Sequence, residues 1–454
     1  MKLPAYPRTK PSGVEWLGDV PEHWDVKRSD AIVSADRSQL SPEKFADLDV
    51  FHYSIPVVQE TGTGQVENGE SIASAKQVVK KPVVLVSKLN PRKATICLAK
   101  PQAILTLCST EFVALNADKC ELAFLEYLTR SELFRQGLDS KVQSVTRSHQ
   151  RANPADIYKF WNAWPTLEDQ RAIAVFLDRE TGRLDRLVAK KQEVIERLKE
   201  KRAALISLTV TRGLPPAAAR AAGLPEKRTL KPSGLDWLGD IPKHWEIRKF
   251  SREIAIAEGQ ADPEKEPYAS MLLIGPEHVE SATGRLLQRE SASDQAAESG
   301  KYFSRKGDLI YSKIRPALRK LVIAPEDCLC SADMYPLRAR KRLDNRFIFW
   351  LFLSEQFSGW SVLESDRVAM PKINRDTLNE LRMPVPPLTE QAAIAAYLEA
   401  ETANLDALVG KVETAVERLQ EYRAALITAA VSGKIDVRGR VAVSRPKTVA
   451  SAKS

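Results

Sequence analysis

Cysteine, histidine and long apolar runs are scarce in this chain of 454 residues, and each shortage excludes a class of protein. Five cysteines, scattered along the sequence, argue against a disulfide framework and are typical of a reducing compartment. No stretch approaches the roughly 18 apolar residues of a transmembrane helix, and the N-terminus lacks the apolar core of a signal peptide. We therefore expect a cytoplasmic protein with no membrane partner.

Motifs of cofactor binding and catalysis are missing as well. There is no G-x-x-x-x-G-K-[ST] loop, no G-x-G-x-x-G turn and no Asn/Asp-Pro-Pro-aromatic motif of the amino-methyltransferase type. The five histidines show no metal-ligand spacing, and Cys328 and Cys330 have no second pair with which to hold zinc. Glu111 and Asp333 occupy matching places as lone acids, which favours a structural hydrogen bond over a nuclease site. We expect no cofactor, no metal and no catalytic residue in this chain.

Charge of one sign is in small excess overall but is segregated along the chain. The 68 Lys and Arg against 59 Asp and Glu give a net charge of +9, which is modest for this length. Residues 71–110 contain seven basic and no acidic residues, and residues 299–325 contain seven basic residues with only Asp308 opposing them. We interpret this segregation, rather than the net charge, as an indication of a nucleic-acid partner.

The same sequence unit occurs twice, with an offset of 221 residues. Residues 11–28 (PSGVEWLGDVPEHWDVKR) and 232–249 (PSGLDWLGDIPKHWEIRK) are identical at ten of eighteen positions. A second pair of matching segments begins at Pro165 and Pro386 with the same offset, and continues through ERLKEKRAALI and ERLQEYRAALI. Two matches in one register indicate an internal duplication.

Each copy ends in a segment with the apolar period of a long helix. Large or apolar residues alternate at steps of three and four over four heptads, which predicts an a/d seam. The residues predicted to pair the helices or to dock a partner are Leu184, Leu187, Val194, Leu198, Leu205, Leu405, Leu408, Val412, Leu419 and Leu426. A flanking apolar stripe widens each face, so either the two helices simply pair with each other or helices of another protein also pack there.

The linker between the copies favours an antiparallel arrangement of the helices. A connection of ~20 residues extends at most ~70 Å, barely the ~65 Å length of the helix that it follows. The predicted fold class is α+β: two mixed α/β domains joined by two long antiparallel coiled-coil helices, with an internal pseudo-two-fold repeat. In chain order we expect a first box (1–28), a first middle domain (29–164), a central long helix (165–213), an Ala/Pro-rich linker (214–231), a second box (232–249), a second middle domain (250–385), a C-terminal long helix (386–434) and a disordered basic tail (435–454).

Both basic clusters contain the pattern S-K-[LI]-x-P at the end of a predicted strand. A loop turned by proline can present Lys, Arg and Asn to phosphates and base edges in a DNA groove. Later segments, 143–153 and 364–374, are again polar and basic. A solvated basic face is the alternative for a single cluster, but two diverged copies keep the same polarity. The predicted DNA-binding residues are Lys88, Asn90, Arg92, Lys93, Arg147, Lys313, Arg315, Arg319, Lys320 and Arg367.

These features resemble the specificity subunits of type I restriction-modification enzymes. The resemblance rests on the boxes WLGDVPEHWDVKR and WLGDIPKHWEIRK and on the helix starts at Leu167–Ile173 and Leu388–Ile394. It also rests on LLIGPEHVESATGRLL (272–287) and GDLIYSKIRPALRK (307–320), which look like the second target-recognition domain of that family. The resemblance covers essentially residues 11–435.

The resemblance implies a non-catalytic subunit that binds double-stranded DNA. One target-recognition domain (29–164 or 250–385) would read each half of a split, asymmetric sequence, and the helices would fix the unread gap. Two methyltransferase subunits and restriction or translocase subunits would join it, and only they would carry S-adenosylmethionine, ATP and Mg²⁺. The rival hypothesis is a coiled-coil scaffold whose two end domains bind protein.

Overall fold

The computed structural model describes residues 3–36, 38–93, 95–141, 150–365 and 371–440. The chain divides into two compact units, which we call unit 1 (Met1–Gln192 with Thr414–Ser454) and unit 2 (Glu193–Glu413). Mixed helices and sheets with two long helices confirm the predicted fold class. The units do not follow the order of the sequence repeat, because unit 1 is assembled from both ends of the chain.

Unit 1 contains two sheets and two short strand pairs. The antiparallel four-stranded sheet has the order Ile96–Ala99, Val83–Ser87, Phe112–Asn116 and Ser34–Asp36. The five-stranded sheet has the order Gln39–Leu40, Lys76–Val78, Thr106–Ser109, Asp49–Tyr53 and Gln65–Asn68, and its third and fourth strands are parallel. The pairs are Thr9–Pro11 with Asp19–Pro21 and Asp25–Arg28 with Trp161–Trp164. The short helices are Ile55–Thr61, Leu122–Arg130, Glu132–Asp139 and Pro154–Tyr158.

Unit 2 repeats this plan with fewer strands in its second sheet. The four-stranded sheet has the order Ile254–Ile256, Met334–Ala339, Leu309–Ser312 and Leu321–Ile323. The three-stranded sheet has the order Leu273–Ile274, Cys328–Cys330 and Tyr302–Ser304, and its first two strands are parallel. The pairs are Leu230–Pro232 with Asp240–Pro242 and Glu246–Lys249 with Arg382–Val385. The short helices are Pro216–Ala221, Phe250–Glu253, Asn345–Leu353, Glu355–Leu363 and Arg375–Glu380.

A serine divides each late helical segment into two helices. Ser131 and Ser354 both adopt an extended backbone, and their hydroxyls accept hydrogen bonds from the amides of Phe134 and Phe357. Serine at this position satisfies an amide that the first helical turn leaves unpaired, so the second helix starts in a new direction.

The long helices run through Leu167–Arg212 (the central helix) and Leu388–Val431 (the C-terminal helix). Along the middle part of each long helix, the most buried apolar residues recur every eleven residues. These residues are Leu184, Ile195 and Ile206 in the central helix, and Leu405, Val416 and Ile427 in the C-terminal helix. Eleven residues make just over three turns of an unstrained α-helix, so this spacing keeps one face in contact. The predicted four-heptad seam is therefore wrong in period.

The two helices are antiparallel within each unit. In unit 1, Asp185 of the central helix pairs with Arg423 of the C-terminal helix at 2.9 Å. In unit 2, Arg202 pairs with Asp406 at 3.0 Å. The two pairs are equivalent by the offset of 221, with the contributions of the helices exchanged. The predicted orientation is confirmed.

Each middle domain packs against the start of one long helix and the end of the other. The amide of Glu132 donates to the hydroxyl of Thr428 at the end of the C-terminal helix, at 2.9 Å. The amide of Glu355 donates to the equivalent Ser207 on the central helix, at 3.1 Å. This exchange explains why the last residues of the chain belong to unit 1.

The chain after each long helix contributes a buried residue to a core, and after the C-terminal helix this differs from the predicted disorder. Val437, assigned to a disordered tail, is fully buried in the core of unit 1, and the Asp436 amide donates to the carbonyl of Pro4 at 2.7 Å. The linker contains the helix Pro216–Ala221, whose Ala219 is fully buried. The prediction of disorder is therefore wrong for Val437, whose β-branched side chain completes the core of unit 1. Residues 441–454 of the tail lie outside the described part of the chain.

Each Trp-rich box is fastened to the start of a long helix by a buried carboxylate. His23 lies 2.8 Å from Asp169 in unit 1. In unit 2, Glu390 is buried 2.7 Å from His244 and accepts a hydrogen bond from the indole of Trp245. The guanidinium of Arg228, itself buried, lies 3.2 Å from the same carboxylate.

Replacement of Glu390 by alanine is expected to destabilise unit 2 by roughly 3–5 kcal/mol, because Arg228 would stay buried without its counter-charge. The free energy of unfolding, measured by urea denaturation of the E390A chain, tests this. The matched control is E399A. Glu399 lies on the same helix as Glu390, and its half-exposed carboxylate pairs with Arg346 of the helix Asn345–Leu353. An exposed pair contributes at most about 1 kcal/mol. Equal losses in the two variants would contradict the proposed anchoring role.

Candidate nucleic-acid interface

The S-K-[LI]-x-P pattern forms a tight loop at the end of a buried strand in unit 1. The hydroxyl of Ser87 donates to the Leu89 carbonyl and accepts from the Leu89 amide, which turns the chain as strand Val83–Ser87 ends. The Asn90 amide then donates to the carbonyl of Gln150, and the Ala152 amide donates to the carbonyl of Lys88. We call residues 88–93 the strand-end loop of unit 1 and residues 150–153 its pre-helix segment.

Unit 2 builds the same arrangement from different residues. The amide of Arg315 donates to the carbonyl of Pro371 at 2.8 Å, and the Ile373 amide donates to the carbonyl of Lys313 at 2.9 Å. Its strand-end loop is 313–320 and its pre-helix segment is 371–374. The structure thus brings the strand-end loop close to the second basic segment in each unit, which the sequence could not show.

One residue in each strand-end loop has a left-handed backbone. Asn90 has φ of 47° and the matching Arg315 has φ of 48°. Asparagine tolerates this region well, whereas arginine adopts it uncommonly and at some cost. The loop therefore imposes a left-handed backbone at these two positions whichever side chain is present. The side chain of Arg315 is exposed.

A carboxylate neutralises the basic side chains at the loop of unit 1. The guanidinium of Arg151 donates to Glu111 at 2.7 Å, and the Lys88 amino group lies 3.9 Å from the same oxygen. The Lys88 side chain is only 12% exposed. Burial lowers the pKa of Lys88, and the charge of Glu111 opposes this effect. Lys88 was predicted to be presented to DNA by a loop turned by proline. The structure instead holds it beside Glu111, whose backbone carbonyl also accepts from the Lys88 amide.

Aromatic rings, rather than a carboxylate, face the cations of unit 2. The Lys313 amino group lies 5.4 Å from the centre of the Tyr335 ring. The guanidinium of Arg375 lies 5.1 Å from the same ring and 5.4 Å from that of Tyr302. Burial raises the pKa of Tyr335, and the charge of Arg375 opposes this shift. Cations over ring faces are held in place without losing their charge.

The remaining predicted DNA-binding residues fall into three groups. Lys93 and Arg315 are exposed in the loops, and DNA binding stays a prediction for both. Lys320 donates to the carbonyl of Pro276 and Arg319 to that of Leu353, so each side chain has one hydrogen bond within unit 2, and DNA binding stays a prediction for both. Arg147, Arg367 and the side chain of Arg92 lie outside the described residues.

Three basic residues of this surface were not among the predicted ones. Arg151 and the exposed Lys372 are equivalent by the offset of 221, and both stand in the pre-helix segments, directly before a buried apolar residue and a helix-capping asparagine. Arg375 follows that asparagine in unit 2. The alignment of QRAN (150–153) with PKIN (371–374) would have indicated the first two, whereas Arg375 has no signal in the repeat because Pro154 is its equivalent.

Metal and thiol chemistry find no support at this surface. Among the residues that the structure describes, no group of three His, Cys, Asp or Glu side chains could hold a metal ion. All five cysteines are buried, and burial raises the pKa of Cys97, Cys120, Cys328 and Cys330 to about 12. Across the described ranges, no helix combines the length and the apolar character needed to cross a membrane.

The residues predicted to pair the helices or dock a partner divide by exposure. Leu184, Leu405 and Leu426 are buried, and Leu198, Leu205, Val412 and Leu419 are partly buried. Leu187, Val194 and Leu408 are exposed by 39–47% of their surface. Because an eleven-residue period turns these last three side chains to solvent, they do not pair the helices, and docking remains the prediction for them.

Comparisons with known proteins agree with this architecture. Residues 246–418 match the family model described as the type I restriction modification DNA specificity domain. The chain is 30% identical over 290 residues to the type I restriction enzyme EcoDI specificity subunit of Escherichia coli, a match that spans 63% of this chain but only 64% of that subunit. It is 24% identical to the putative type I restriction enzyme MjaX specificity subunit of Methanocaldococcus jannaschii, over 93% of this chain and 96% of that protein.

The fold is shared with a solved chain from work on complex assembly and conformational transition of the type I R-M system. That chain has a TM-score of 0.68 and 19% identity, with 92% of this chain and 99% of that chain covered. Residues 246–418 are thus similar to a DNA specificity domain, and the fold of the chain is that of a solved type I R-M chain. The chain is related to the specificity subunits of type I restriction-modification enzymes, as the sequence resemblance had indicated.

Proposed function

We propose that this chain is the DNA sequence-specificity subunit of a type I restriction-modification complex, in which each middle domain reads one half of a bipartite, asymmetric site. The observation that carries the proposal is the duplicated loop arrangement. Both units fold a strand-end loop against a pre-helix segment through the same pair of backbone hydrogen bonds, from different side chains. Two domains that bind unlike half-sites would be expected to share their loop backbone and to differ in the side chains that the loop carries.

The long helices would set the gap between the half-sites and dock two methyltransferase subunits. The exposed apolar side chains of Leu187 and Leu408 support docking. They are equivalent in the repeat, so each long helix would provide one docking surface of the same kind. Restriction or translocase subunits would join the complex. The rival scaffold hypothesis has no observation in its favour beyond the same exposed residues.

The chain would contribute recognition and no catalysis, and it would act in the cytoplasm. The carboxylate at the loop of unit 1 supports this division of labour. Glu111 accepts a hydrogen bond from Arg151, so this acid has a structural contact. S-adenosylmethionine, ATP and Mg²⁺ would bind only to partner subunits.

Sequencing of DNA modifications in cells with and without this gene tests the proposed function. The expected result is a bipartite methylated motif, two short unlike halves around a fixed gap, that is present only with the gene. As a control, cells that keep this gene but lack the methyltransferase subunit should also lose the motif. A methylome that does not depend on this gene would overturn the proposal.

A further inference from the structure

The two units carry different side chains at three matched positions beside their loops. Strand registers align Val113 with Tyr335, since each pairs with the residue just before the loop serine. They likewise align Gln77 with Tyr302, since these pair with Cys108 and Cys330. The repeat offset aligns Pro154 with Arg375, so only unit 2 has an arginine between two tyrosines.

In unit 1 the matched positions offer little to a ligand. The side-chain amide of Gln77 is buried and donates to the carbonyl of Phe112 at 2.8 Å. Val113 is a buried apolar residue and Pro154 has no polar side chain. The nearby cation Arg151 is already paired with Glu111. Any reading by unit 1 therefore uses other groups.

Arg375 is oriented but not neutralised. One guanidinium nitrogen donates to the carbonyl of Ala257 at 2.9 Å, and the rings of Tyr302 and Tyr335 flank the group. Arginine has five N–H donors in a rigid fork, and within the described residues that carbonyl is the one hydrogen-bond acceptor for Arg375. The guanidinium of Arg375 therefore keeps its charge, and its other N–H donors can bind a ligand.

The surroundings of Arg375 are those of a nucleic-acid contact. Lys313, at the start of the strand-end loop, shares the Tyr335 ring with it. Lys372, in the pre-helix segment, is exposed three residues earlier in the chain. Asp376 follows directly, and its charge contributes to the raised pKa of Tyr335. The compact ammonium group of Lys313 therefore lies at the same ring as the fork, an arrangement suited to a phosphate beside a base edge.

We propose that Arg375 is the base-reading residue of unit 2 and that it recognises guanine in the major groove, with Tyr302 and Tyr335 as its positioning residues. Arginine donating two hydrogen bonds to O6 and N7 of guanine is the commonest specific contact of this kind. A fork held by two rings loses little conformational freedom on binding. The inference rests on the proposed function, and it gives a physical reason why the two half-sites differ.

The test uses the full chain in complex with its methyltransferase subunits. Methylated motifs are determined for the wild type, R375A and R375K. Both variants are expected to accept other bases at one G·C pair in the half read by unit 2, and discrimination there falls by about 5- to 150-fold. Lysine keeps the charge but not the fork, so R375K should also relax that position.

Two controls separate base reading from general binding. R285A removes an exposed arginine of the same unit, which is paired with Glu280, and should leave the motif intact. K372A should weaken binding to all sequences and reduce its salt dependence without changing the motif.

The outcomes distinguish failure of the inference from failure of the proposed function. A wild-type complex without any bipartite motif would refute the function itself. An intact motif with full discrimination in R375K would refute the inference, even if R375A fails to fold.

Discussion

Replacement of residues 29–160 by the same domain of a relative is expected to change one half of the methylated motif completely and leave the other half unchanged. The two ends of this domain lie together, because the strand Asp25–Arg28 pairs with Trp161–Trp164. The amide of Ser29 also donates to the carbonyl of Phe160 at 2.8 Å. A new domain can therefore enter at one place without altering the long helices.

Modification sequencing of cells with the exchanged gene measures this result. The matched experiment replaces residues 250–381, whose ends meet in the same way, since the Phe250 amide donates to the Leu381 carbonyl at 2.7 Å. That exchange should alter the other half. A single exchange that changes both halves would contradict two independent readers.

Removal of eleven residues from each long helix is expected to shorten the unread gap by about five base pairs and to leave both halves intact. Eleven residues of helix span ~16 Å, and B-DNA rises ~3.4 Å per base pair. Deleting 189–199 and 409–419 takes out Ile195 and Val416, after which Ile206 and Ile427 occupy the vacated places in the seam. Both interhelical ion pairs can still form in one register of the two helices, because segments of equal length are removed from the two antiparallel helices.

The control for this experiment deletes residues 189–199 alone. That change moves Arg202 away from Asp406 and is expected to abolish methylation through mispaired helices rather than to give a new motif. A complex with the double deletion that methylates the original gap would show that the helices do not set the spacing.

Much of the candidate site followed from the repeat, but its chemistry did not. Comparison of the copies located Lys88 and Lys313 at the ends of buried strands, and both strands end there. It did not show that Glu111 neutralises one lysine while Tyr335 holds the other. Such differences depend on which strands become neighbours, and cross-strand neighbours are far apart in sequence.

The sequence by itself determined the duplication, the two long helices and the position of the basic loops. These are local or repeated features, so periodicity and matching segments suffice to reveal them. Only the tertiary structure decided that the end of the chain, through Val437, completes unit 1, and that helix contacts recur every eleven residues. The antiparallel pairing is the physical reason, because it gives each domain the start of one helix and the end of the other.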